Sequence, residues 1–349
     1  MKLSLLFGGA SFEHEISIVS AITILQKLKG KHEISACIFL DGEHNFYLIE
    51  SKNMTSKYFS SQDFKKAKRL EIGMGGFYES GMLGKKKLVV SNVILNLIHG
   101  GDGEDGVLAG LFSFFNIKFI GPRLEASTIS FNKHLTKLYA KEIGVNALPY
   151  AILKRGDTPN LPFDFPIIIK PTCLGSSIGV NIANDSKELE YALDSAFEYS
   201  DEVIIEPFIK GVREYNLAGA RLDSKFIFSV VEEPQKKDLL NFDDKYLDFS
   251  RTSEVLSAEI SESLKGEMQG IFKKIYGEMF CGALIRCDFF VIDSKIYLNE
   301  INPIPGSMAN YLFENFESVL ESLANALPRT NHIKINYNYI NKIQSAKGK

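Results

Sequence analysis

The chain has 349 residues, which is too many for one ordinary hydrophobic core and predicts two or three domains. Hydrophobic residues make up 45% of the chain and charged residues 24%, a balance typical of soluble globular proteins. The formal net charge of −3 argues against a global attraction to nucleic acid or to an anionic membrane. Any phosphate binding must therefore come from local features.

The cysteines and the first residues favour a cytoplasmic protein. The chain has four cysteines that form neither a CxxC pair nor a metal-ligand spacing, namely Cys37, Cys173, Cys281 and Cys287. This usage is typical of reduced thiols. The apolar run at residues 3–7 stops at two glycines and charged residues follow, unlike a signal peptide. No apolar stretch approaches the roughly 18 residues that a membrane-spanning helix needs. We expect neither a membrane nor a nucleic acid as partner.

The first third alternates apolar runs with helical patterns, as a parallel α/β sheet does. The predicted strands are residues 3–7, 34–40, 93–98 and 118–120, and the predicted helices are residues 16–28 and 107–115. Residues 41–87 are polar, rich in glycine and lysine, and only weakly periodic. They predict an elaboration of this domain without assigned elements.

A second unit begins with a predicted helix. Its predicted elements are a helix at 130–143, strands at 149–153 and 166–170, a helix at 187–197 capped by Asp185 or Ser186, and a strand at 203–206. In the last third the pattern predicts strands at 215–220 and 226–231, a polar loop at 232–252, a helix at 261–277, and strands at 283–292 and 295–301.

The last two strands carry the strongest local signal. A turn centred on Ser294 pairs residues whose numbers sum to 588, so Asp288 faces Glu300 and Arg286 faces Asn302 on one side of the sheet. Two opposed carboxylates repel each other unless a cation lies between them, and two carboxylates with an amide oxygen suit Mg²⁺ or Mn²⁺. The alternative is a solvated polar face with an incidental salt bridge to Arg286. The clustering of carboxylates favours the metal site.

The loop after Asn302 reads Pro-Ile-Pro-Gly-Ser-Met and contains Gly306. A glycine lets backbone N–H groups approach a ligand closely, and together with Arg286 these donors could hold a carboxylate or an oxyanion. By itself, the segment is more simply an ordinary Pro-Gly turn.

Lys170 closes a buried strand, and a Gly-Ser-Ser-x-Gly turn follows at residues 175–179. A buried lysine is costly without a partner, and a lysine beside a glycine-rich flap is one way to hold a triphosphate. The chain contains no GxxxxGK[ST] loop. A strand-end lysine that reaches solvent, followed by a plain hairpin, explains the pattern equally well.

The segment from Glu206 to Glu214 begins at a strand end. Its free backbone groups could recognise an adenine edge and its second carboxylate a ribose, although a domain linker is the simpler interpretation. The segment at residues 8–17 joins a strand to a helix, whose N-terminus can bind an anion while Glu13 binds an ammonium group. Here the simpler interpretation is Ser11 as the helix N-cap, with acids that complement the helix dipole.

Residues 101–106 fit GxGxxG, the fingerprint of dinucleotide-binding dehydrogenases. Three acids, Asp102, Glu104 and Asp105, lie where the pyrophosphate would bind, and their repulsion outweighs the stabilisation of about 2 kcal/mol at most that a helix terminus offers. We therefore reject a dehydrogenase. His99, just before this loop, is by itself more typical of a core histidine than of a cleft residue.

Taken together, these segments resemble the D-alanine–D-alanine ligase family of the ATP-grasp fold. The resemblance covers nearly the whole chain, through GGASFEHEIS (8–17), HGGDGEDG (99–106), FNK ending at Lys133, IIIKPTCLGSSIGV (167–180), EPFIKGVREY (206–215), DKYL (244–247), RCDFF (286–290) and NEINPIPG (299–306). Each segment alone is weak, whereas eight in register are highly specific.

The resemblance implies an α/β (α+β) multidomain chain with an ATP-grasp fold. It places an N-terminal parallel α/β domain at 1–122 and a central ATP-grasp subdomain at 123–206. A C-terminal subdomain at 207–349 would carry the metal site and a mobile loop at 232–252. The implied activity is ATP-dependent ligation of two D-alanines through an acyl phosphate, for peptidoglycan precursor synthesis.

The resemblance also implies a role for each matching residue. Lys133 and Lys170 would hold the ATP phosphates, Glu206, Phe208 and Ile209 would surround adenine, and Glu214 would bind the ribose. Asp288, Glu300 and Asn302 would bind two Mg²⁺ or Mn²⁺ ions. Glu13 would take the ammonium group of the first D-alanine, linked to Ser176 and Tyr246. Arg286 and the Gly306 N–H would stabilise an oxyanion, His99 would lie near the transferred phosphate, and Lys245 would reach the γ-phosphate.

The chain departs from the family pattern at two of these places. Tyr311 stands where a small hydroxyl residue is common, which affects how the second substrate's carboxylate is held. Phe208 replaces a tryptophan and preserves stacking. Tyr246 matches members that form dipeptides, so D-alanine is the expected second substrate. The rivals are another ATP-grasp carboxylate–amine ligase and a nucleotide sensor without turnover. Whether the chain forms a homodimer stays open.

Overall fold

The structure is a computed structural model that describes residues 1–80, 86–234, 257–328 and 334–346. The strands fall into three sheets. In the first sheet, β1 to β8 are Lys2–Gly8, Glu33–Leu40, Phe46–Ile49, Lys68–Gly73, Gly76–Ser80, Lys86–Val90, Val93–Asn96 and Phe119–Ile120. In the second, β9 to β12 are Ala151–Lys154, Ile167–Pro171, Asn181–Ala183 and Glu202–Pro207. In the third, β13 to β16 are Arg213–Leu222, Lys225–Glu232, Ile285–Ile292 and Lys295–Asn302.

The α-helices of the described residues lie between and beside these strands. In chain order, α1 to α10 are His14–Leu28, Ser56–Ser60, Gly101–Glu104, Val107–Phe114, Leu124–Phe131, Lys133–Glu142, Ser186–Phe197, Glu262–Tyr276, Phe316–Asn325 and Ile340–Ala346. Short 3₁₀ segments are Ser51–Asn53, Asp63–Lys66 and Gly306–Leu312.

The first sheet has the order β6-β5-β4-β3-β2-β1-β7-β8. Its half around β1 is parallel, because β1 pairs with β2 and β7 in that direction and β7 pairs with β8. The predicted parallel strands are thus present. The strands of the segment that the sequence left unassigned extend this sheet in antiparallel pairs, from β2 through β6. Antiparallel strands can be joined by as few as two residues, as between β4 and β5, whereas a parallel pair needs a long crossover.

One predicted helix is confirmed but begins later than expected. The sequence predicts a helix at 130–143, whereas α6 begins at Lys133 and a separate helix, α5, ends at Phe131. Asn132 between them has extended backbone angles, φ −89° and ψ 112°, and its side chain accepts a hydrogen bond from the Leu135 N–H. Since a capping asparagine satisfies the first free N–H groups of a helix, a new helix begins there. This break directs Lys133 towards the second sheet, where its N–H donates to Thr172 O.

A shared hydrophobic core holds the first and last thirds of the chain together. Leu5 of β1 and Ile24 of α1 belong to the same buried cluster as Met308 and Phe316. Met308 and its two neighbours, Ser307 and Ala309, have left-handed backbone angles, with φ of 55°, 46° and 48° respectively. This packing places the segment after Gly306 against α1, close to the loop that precedes α3.

Candidate active site

The ribbon formed by β15 and β16 carries the predicted metal ligands. Arg286 pairs with Asn302 and Asp288 with Glu300, as predicted. Near the tip the register differs from the prediction by one residue, because Ile292 pairs with Lys295 and leaves two residues in the turn. A bulge between Asp288 and Phe289 then shifts the register by one residue and restores the predicted pairs. The four polar residues therefore share one end of the ribbon.

Arg286 and Asp288 form a two-pronged ion pair. Arg286 Nε donates to Asp288 Oδ1 over 2.7 Å and Nη2 donates to Oδ2 over 2.8 Å, while Asn302 Nδ2 donates to the same Oδ2 over 3.0 Å. Burial raises the pKa of Asp288, although the arginine opposes this, and Glu300 raises it further. A cation beside the two carboxylates would relieve both effects. Among the described residues, no group of three His, Cys, Asp or Glu side chains could hold a metal ion. The candidate ligands here are instead two carboxylates and one amide. This donor set fits a hard ion such as Mg²⁺.

Lys170 belongs to a buried charge cluster that includes a residue the sequence analysis missed. Glu206 is 1% exposed and lies between two lysines, with Lys170 Nζ 2.7 Å from Oε2 and Lys137 Nζ 2.5 Å from Oε1. Although burial alone opposes ionisation, Lys170 and Lys137 together lower the pKa of Glu206 to about 2. The available signal was spacing, because Lys137 lies four residues after Lys133 on one helix and so faces the same side.

Lys170 also links the second sheet to the ribbon. Its Nζ lies 3.5 Å from the side-chain oxygen of Asn299, the residue before Glu300. Burial lowers the pKa of Lys133, and the nearby carboxylate of Glu300 opposes that effect. Lys133 Nζ in turn donates to the backbone oxygen of Leu174, at the start of the glycine-rich flap. The two lysines and the ribbon carboxylates thus surround one region.

Glu13 connects the N-terminal unit to the flap. Ser176 Oγ donates to Glu13 Oε1 over 2.5 Å, across 163 positions in the chain. Burial raises the pKa of Glu13, and Glu104 raises it further. The flap approaches closely because Gly175 has no side chain, since a Cβ there would lie 2.8 Å from Glu13 Oε1. Ser11 is not the helix N-cap; its hydroxyl donates to His99 O and accepts from the Glu13 N–H.

His99 is buried in the same region and is neutral near pH 7, because burial lowers its pKa to about 4. Its Nε2 lies 2.9 Å from Ser20 Oγ, and its Nδ1 lies 3.7 Å from a carboxylate oxygen of Glu104. Burial raises the pKa of Glu104 to about 8. The acids of the GxGxxG segment also have structural contacts: Asp102 pairs with His44, and Asp105 accepts a hydrogen bond from the N–H of Val107, the first residue of α4.

The predicted adenine and ribose residues lie next to the lysine cluster. Phe208 follows β12 directly, and its N–H donates to Pro166 O. Ile209 begins the turn that leads to β13, where Glu214 pairs with Phe290 of β15. The Glu206 carboxylate contacts the two lysines. The predicted residues Lys245 and Tyr246 lie outside the described residues, as does most of the predicted loop 232–252.

Family models match both parts of the chain. The model for the D-Ala–D-Ala ligase N-terminus matches residues 2–122, and the model for the D-Ala–D-Ala ligase C-terminus matches residues 139–317. The chain belongs to the D-alanine–D-alanine ligase family. D-alanine–D-alanine ligases of Wolinella succinogenes and Campylobacter concisus are 54% and 56% identical to it, over all of this chain and 100% and 99% of theirs. The crystal structure of D-alanine–D-alanine ligase from Helicobacter pylori is 51% identical and superposes with a TM-score of 0.85, covering 95% of this chain and all of that one. The expected family and ATP-grasp fold are confirmed.

Tyr311, where the chain departs from the ligase family pattern, is part of the site. Burial raises the pKa of its hydroxyl to about 12, while a hydrogen bond with Arg286 lowers it. A large side chain therefore packs against the arginine that the resemblance assigns to the oxyanion.

A separate cavity of about 450 Å³ lies away from these residues. Its lining includes Arg123, Arg221, Glu278 and Cys281, and none of the predicted site residues. Arg221 is already paired with Glu278.

All four cysteines are free thiols, of which Cys37 and Cys287 are buried. Within the described ranges, no helix has the length and apolar character needed to cross a membrane.

Proposed function

We propose that this chain uses ATP to join two D-alanine molecules into D-alanyl-D-alanine, a precursor of peptidoglycan. The observation that carries the proposal is the meeting of three parts of the chain in one region. Lys170 of the second sheet reaches Asn299 of the ribbon over 3.5 Å, and Ser176 of the flap reaches Glu13 over 2.5 Å. The family relationship supports the same activity.

ATP binds with its phosphates between the second sheet and the ribbon. Lys133 and Lys170 hold the phosphates, and Lys245 adds a third cation from the loop. Adenine lies against Phe208 and Ile209 beside Glu206, and Glu214 takes the ribose hydroxyls. The buried pair of Glu206 with Lys137 fixes the cluster, so that Lys170 points in one direction before the nucleotide arrives.

Asp288, Glu300 and Asn302 would hold two Mg²⁺ ions, or Mn²⁺, at the end of the ribbon. The raised pKa of Asp288, caused by burial and then by Glu300, supports this assignment, because a cation stabilises both ionised carboxylates. The ions supply charge neutralisation for the phosphate oxygens when they are bound. Asn302 Nδ2 donates to Asp288, so the Asn302 amide would have to turn for its oxygen to bind a metal ion.

The first D-alanine binds through its ammonium group to Glu13, which Ser176 and Tyr246 orient. Its carboxylate attacks the γ-phosphate and becomes an acyl phosphate, with ADP as the leaving group. Since both reactants are anions, the lysines must screen their repulsion. His99 is neutral and lies beside the transferred phosphate, where its ring can donate a hydrogen bond.

The amino group of the second D-alanine then attacks the acyl carbon, and phosphate leaves. Arg286 and the Gly306 N–H stabilise the oxyanion that forms on the acyl carbon. The loop expected at 232–252, most of which lies outside the described residues, would keep water from the acyl phosphate. We place the reaction in the cytoplasm, where ATP is available. A light-scattering measurement of the molar mass tests whether the chain forms a homodimer.

A coupled assay tests this function. We expect D-alanine to trigger release of ADP and phosphate, with one D-alanyl-D-alanine formed for each ADP. ATP binding without D-alanine-dependent hydrolysis would identify a nucleotide sensor instead. Hydrolysis stimulated by a different carboxylate and amine, with D-alanine inactive, would identify another ATP-grasp ligase.

A further inference from the structure

Ser20 joins two functional segments that come from opposite ends of the chain. It lies on α1 and is fully buried. Its Oγ is 2.9 Å from Nε2 of His99 and accepts a hydrogen bond of 3.1 Å from the Ser307 N–H. His99 precedes α3, and Ser307 directly follows Gly306. One hydroxyl therefore links His99 to the residue after Gly306.

The turn that Ser20 holds has an unfavourable backbone. Ser307, Met308 and Ala309 are consecutive residues in the left-handed region, with φ of 46°, 55° and 48°. Side chains other than glycine adopt this conformation at an energetic cost, so it persists only where the surroundings hold it. The Ser20 hydroxyl is part of that support, because it accepts from the first N–H of the left-handed run.

The other partner of Ser20 is an imidazole that carries no charge. His99 stays neutral because burial lowers its pKa to about 4. One nitrogen of a neutral imidazole is a donor and the other an acceptor, so its partners decide the tautomer and the ring orientation. Ser20 contacts Nε2, Glu104 lies 3.7 Å from Nδ1 on the opposite side of the ring, and the ring also makes a hydrogen bond with the backbone of Ile304.

We propose that Ser20 is a positioning residue that fixes the His99 ring and the Gly306 turn relative to each other. This inference is built on the proposed function, because these two segments flank the transferred phosphate and the oxyanion. Ser20 itself touches no substrate. Its hydroxyl aligns the groups that do, so that one hydrogen-bonded unit serves both halves of the reaction.

Ser17 provides a matched control. It lies one turn earlier on α1 and is also fully buried. Its hydroxyl likewise has two partners, since it accepts from the Gly8 N–H over 2.8 Å and donates to Leu97 O over 2.7 Å. Ser17→Ala therefore removes the same atom from the same helix, with an equal number of hydrogen bonds, away from His99 and Ser307.

The kinetic test compares the two variants in the coupled assay. We expect Ser20→Ala to lower kcat by about 10- to 100-fold, since small misalignments of reacting groups cost factors of this size. Ser17→Ala should lower the melting temperature by about as much as Ser20→Ala does. It should change kcat by less than about threefold, because the loss of a buried hydrogen bond outside the site affects stability only. Equal kcat losses in the two variants would overturn the proposal.

A spectroscopic test separates this inference from the proposed function. The ¹⁵N resonances of the His99 ring, assigned by their loss in His99→Gln, report its tautomer and hydrogen bonds without any turnover. Ser20→Ala should shift the Nε2 resonance, and Ser17→Ala should leave it in place. An unchanged His99 spectrum in Ser20→Ala overturns the proposal even if kcat falls. If the unaltered chain shows no ligase activity, the proposed function fails while this spectrum still tests the contact.

Discussion

The guanidinium of Arg286 makes two parallel hydrogen bonds to the carboxylate of Asp288, of 2.7 and 2.8 Å. The two residues are two positions apart on β15, so their side chains project from the same face of the ribbon. This pairing raises the pKa of Arg286 well above its usual value, against the effect of burial. The arginine therefore stays charged and fixed in direction beside the proposed metal ligands.

Asp288→Asn or Glu300→Gln should abolish turnover and leave the fold intact. Each change removes one negative charge from the proposed magnesium site and keeps the size of the side chain. We expect kcat to fall by at least about 100-fold, as when one preorganised electrostatic group is removed from an active site. The coupled assay measures the rate, and circular dichroism with thermal unfolding checks the fold.

Asp293→Asn is the control for those variants. Asp293 is an exposed residue at the tip of the same ribbon, with a left-handed φ of 46° that asparagine also adopts readily. It should retain nearly full activity. If Asp288→Asn also kept a near-normal rate, Asp288 would not be a ligand of a catalytic metal ion.

Lys137→Met should destabilise the protein and weaken ATP binding. Glu206 would keep only Lys170 as a buried cationic partner, so we expect a loss of about 1 to 3 kcal/mol in unfolding free energy. The remaining lysine would then be held more strongly by Glu206 and be less available to phosphate. Urea unfolding gives the stability, and calorimetric titration gives the ATP dissociation constant. Lys141→Met, on an exposed position one turn further along α6, should change neither quantity.

Local patterns predict much of this fold, because they depend on neighbours in the sequence. The period of two in β15 and β16 is sufficient to place Asp288 opposite Glu300. The same reasoning assumes a single register, and it therefore misses the bulge beside Asp288 and the two-residue turn at the tip. The helix break at Asn132 is missed for a related reason, since helical periodicity continues on both sides of it.

Contacts between distant segments are where local patterns fail. Nothing in the spacing of Glu13 and Ser176 indicates that they meet, and only the family resemblance connects them. The sequence does not indicate the role of Lys137, because a charged residue on an amphipathic helix is usually solvated, whereas here it is 3% exposed and paired with Glu206. The link from Ser20 to His99 and Ser307 likewise depends on tertiary packing.

The stability contribution of Glu206 should depend on pH in one direction. Against the opposing effect of burial, Lys170 and Lys137 lower its pKa from 4.5 to about 2 in the folded chain, so the ionised form stabilises folding. That contribution is complete above pH 4.5 and is lost as the pH falls towards about 2. Glu206→Gln lacks it at every pH. The gap in unfolding free energy between the two proteins, from urea titrations at pH 3 to 7, should therefore narrow below pH 4.5. A gap that is constant or that widens in acid would contradict the buried ion pair.

Ser176→Ala should raise the KM for the first D-alanine, because Glu13 loses the hydroxyl that orients it. A hydrogen bond to a charged group corresponds to a change of about 10-fold or more. ATP turnover at low D-alanine concentrations gives this constant. Ser177→Ala is the comparison, since Ser177 has a similar left-handed backbone, with φ of 56° against 54° for Ser176. Equal effects in the two variants would point to the flap backbone instead of the contact with Glu13.

We propose that the ribbon acids, together with Lys133 and Lys170, hold one magnesium-bound triphosphate. A crystal structure of the chain with Mg²⁺ and a non-hydrolysable ATP analogue tests it most directly. We predict metal between Asp288 and Glu300, with Nζ of Lys133 and Lys170 within hydrogen-bond distance of phosphate oxygens. A nucleotide bound elsewhere, or a metal that contacts neither carboxylate, would contradict the claim.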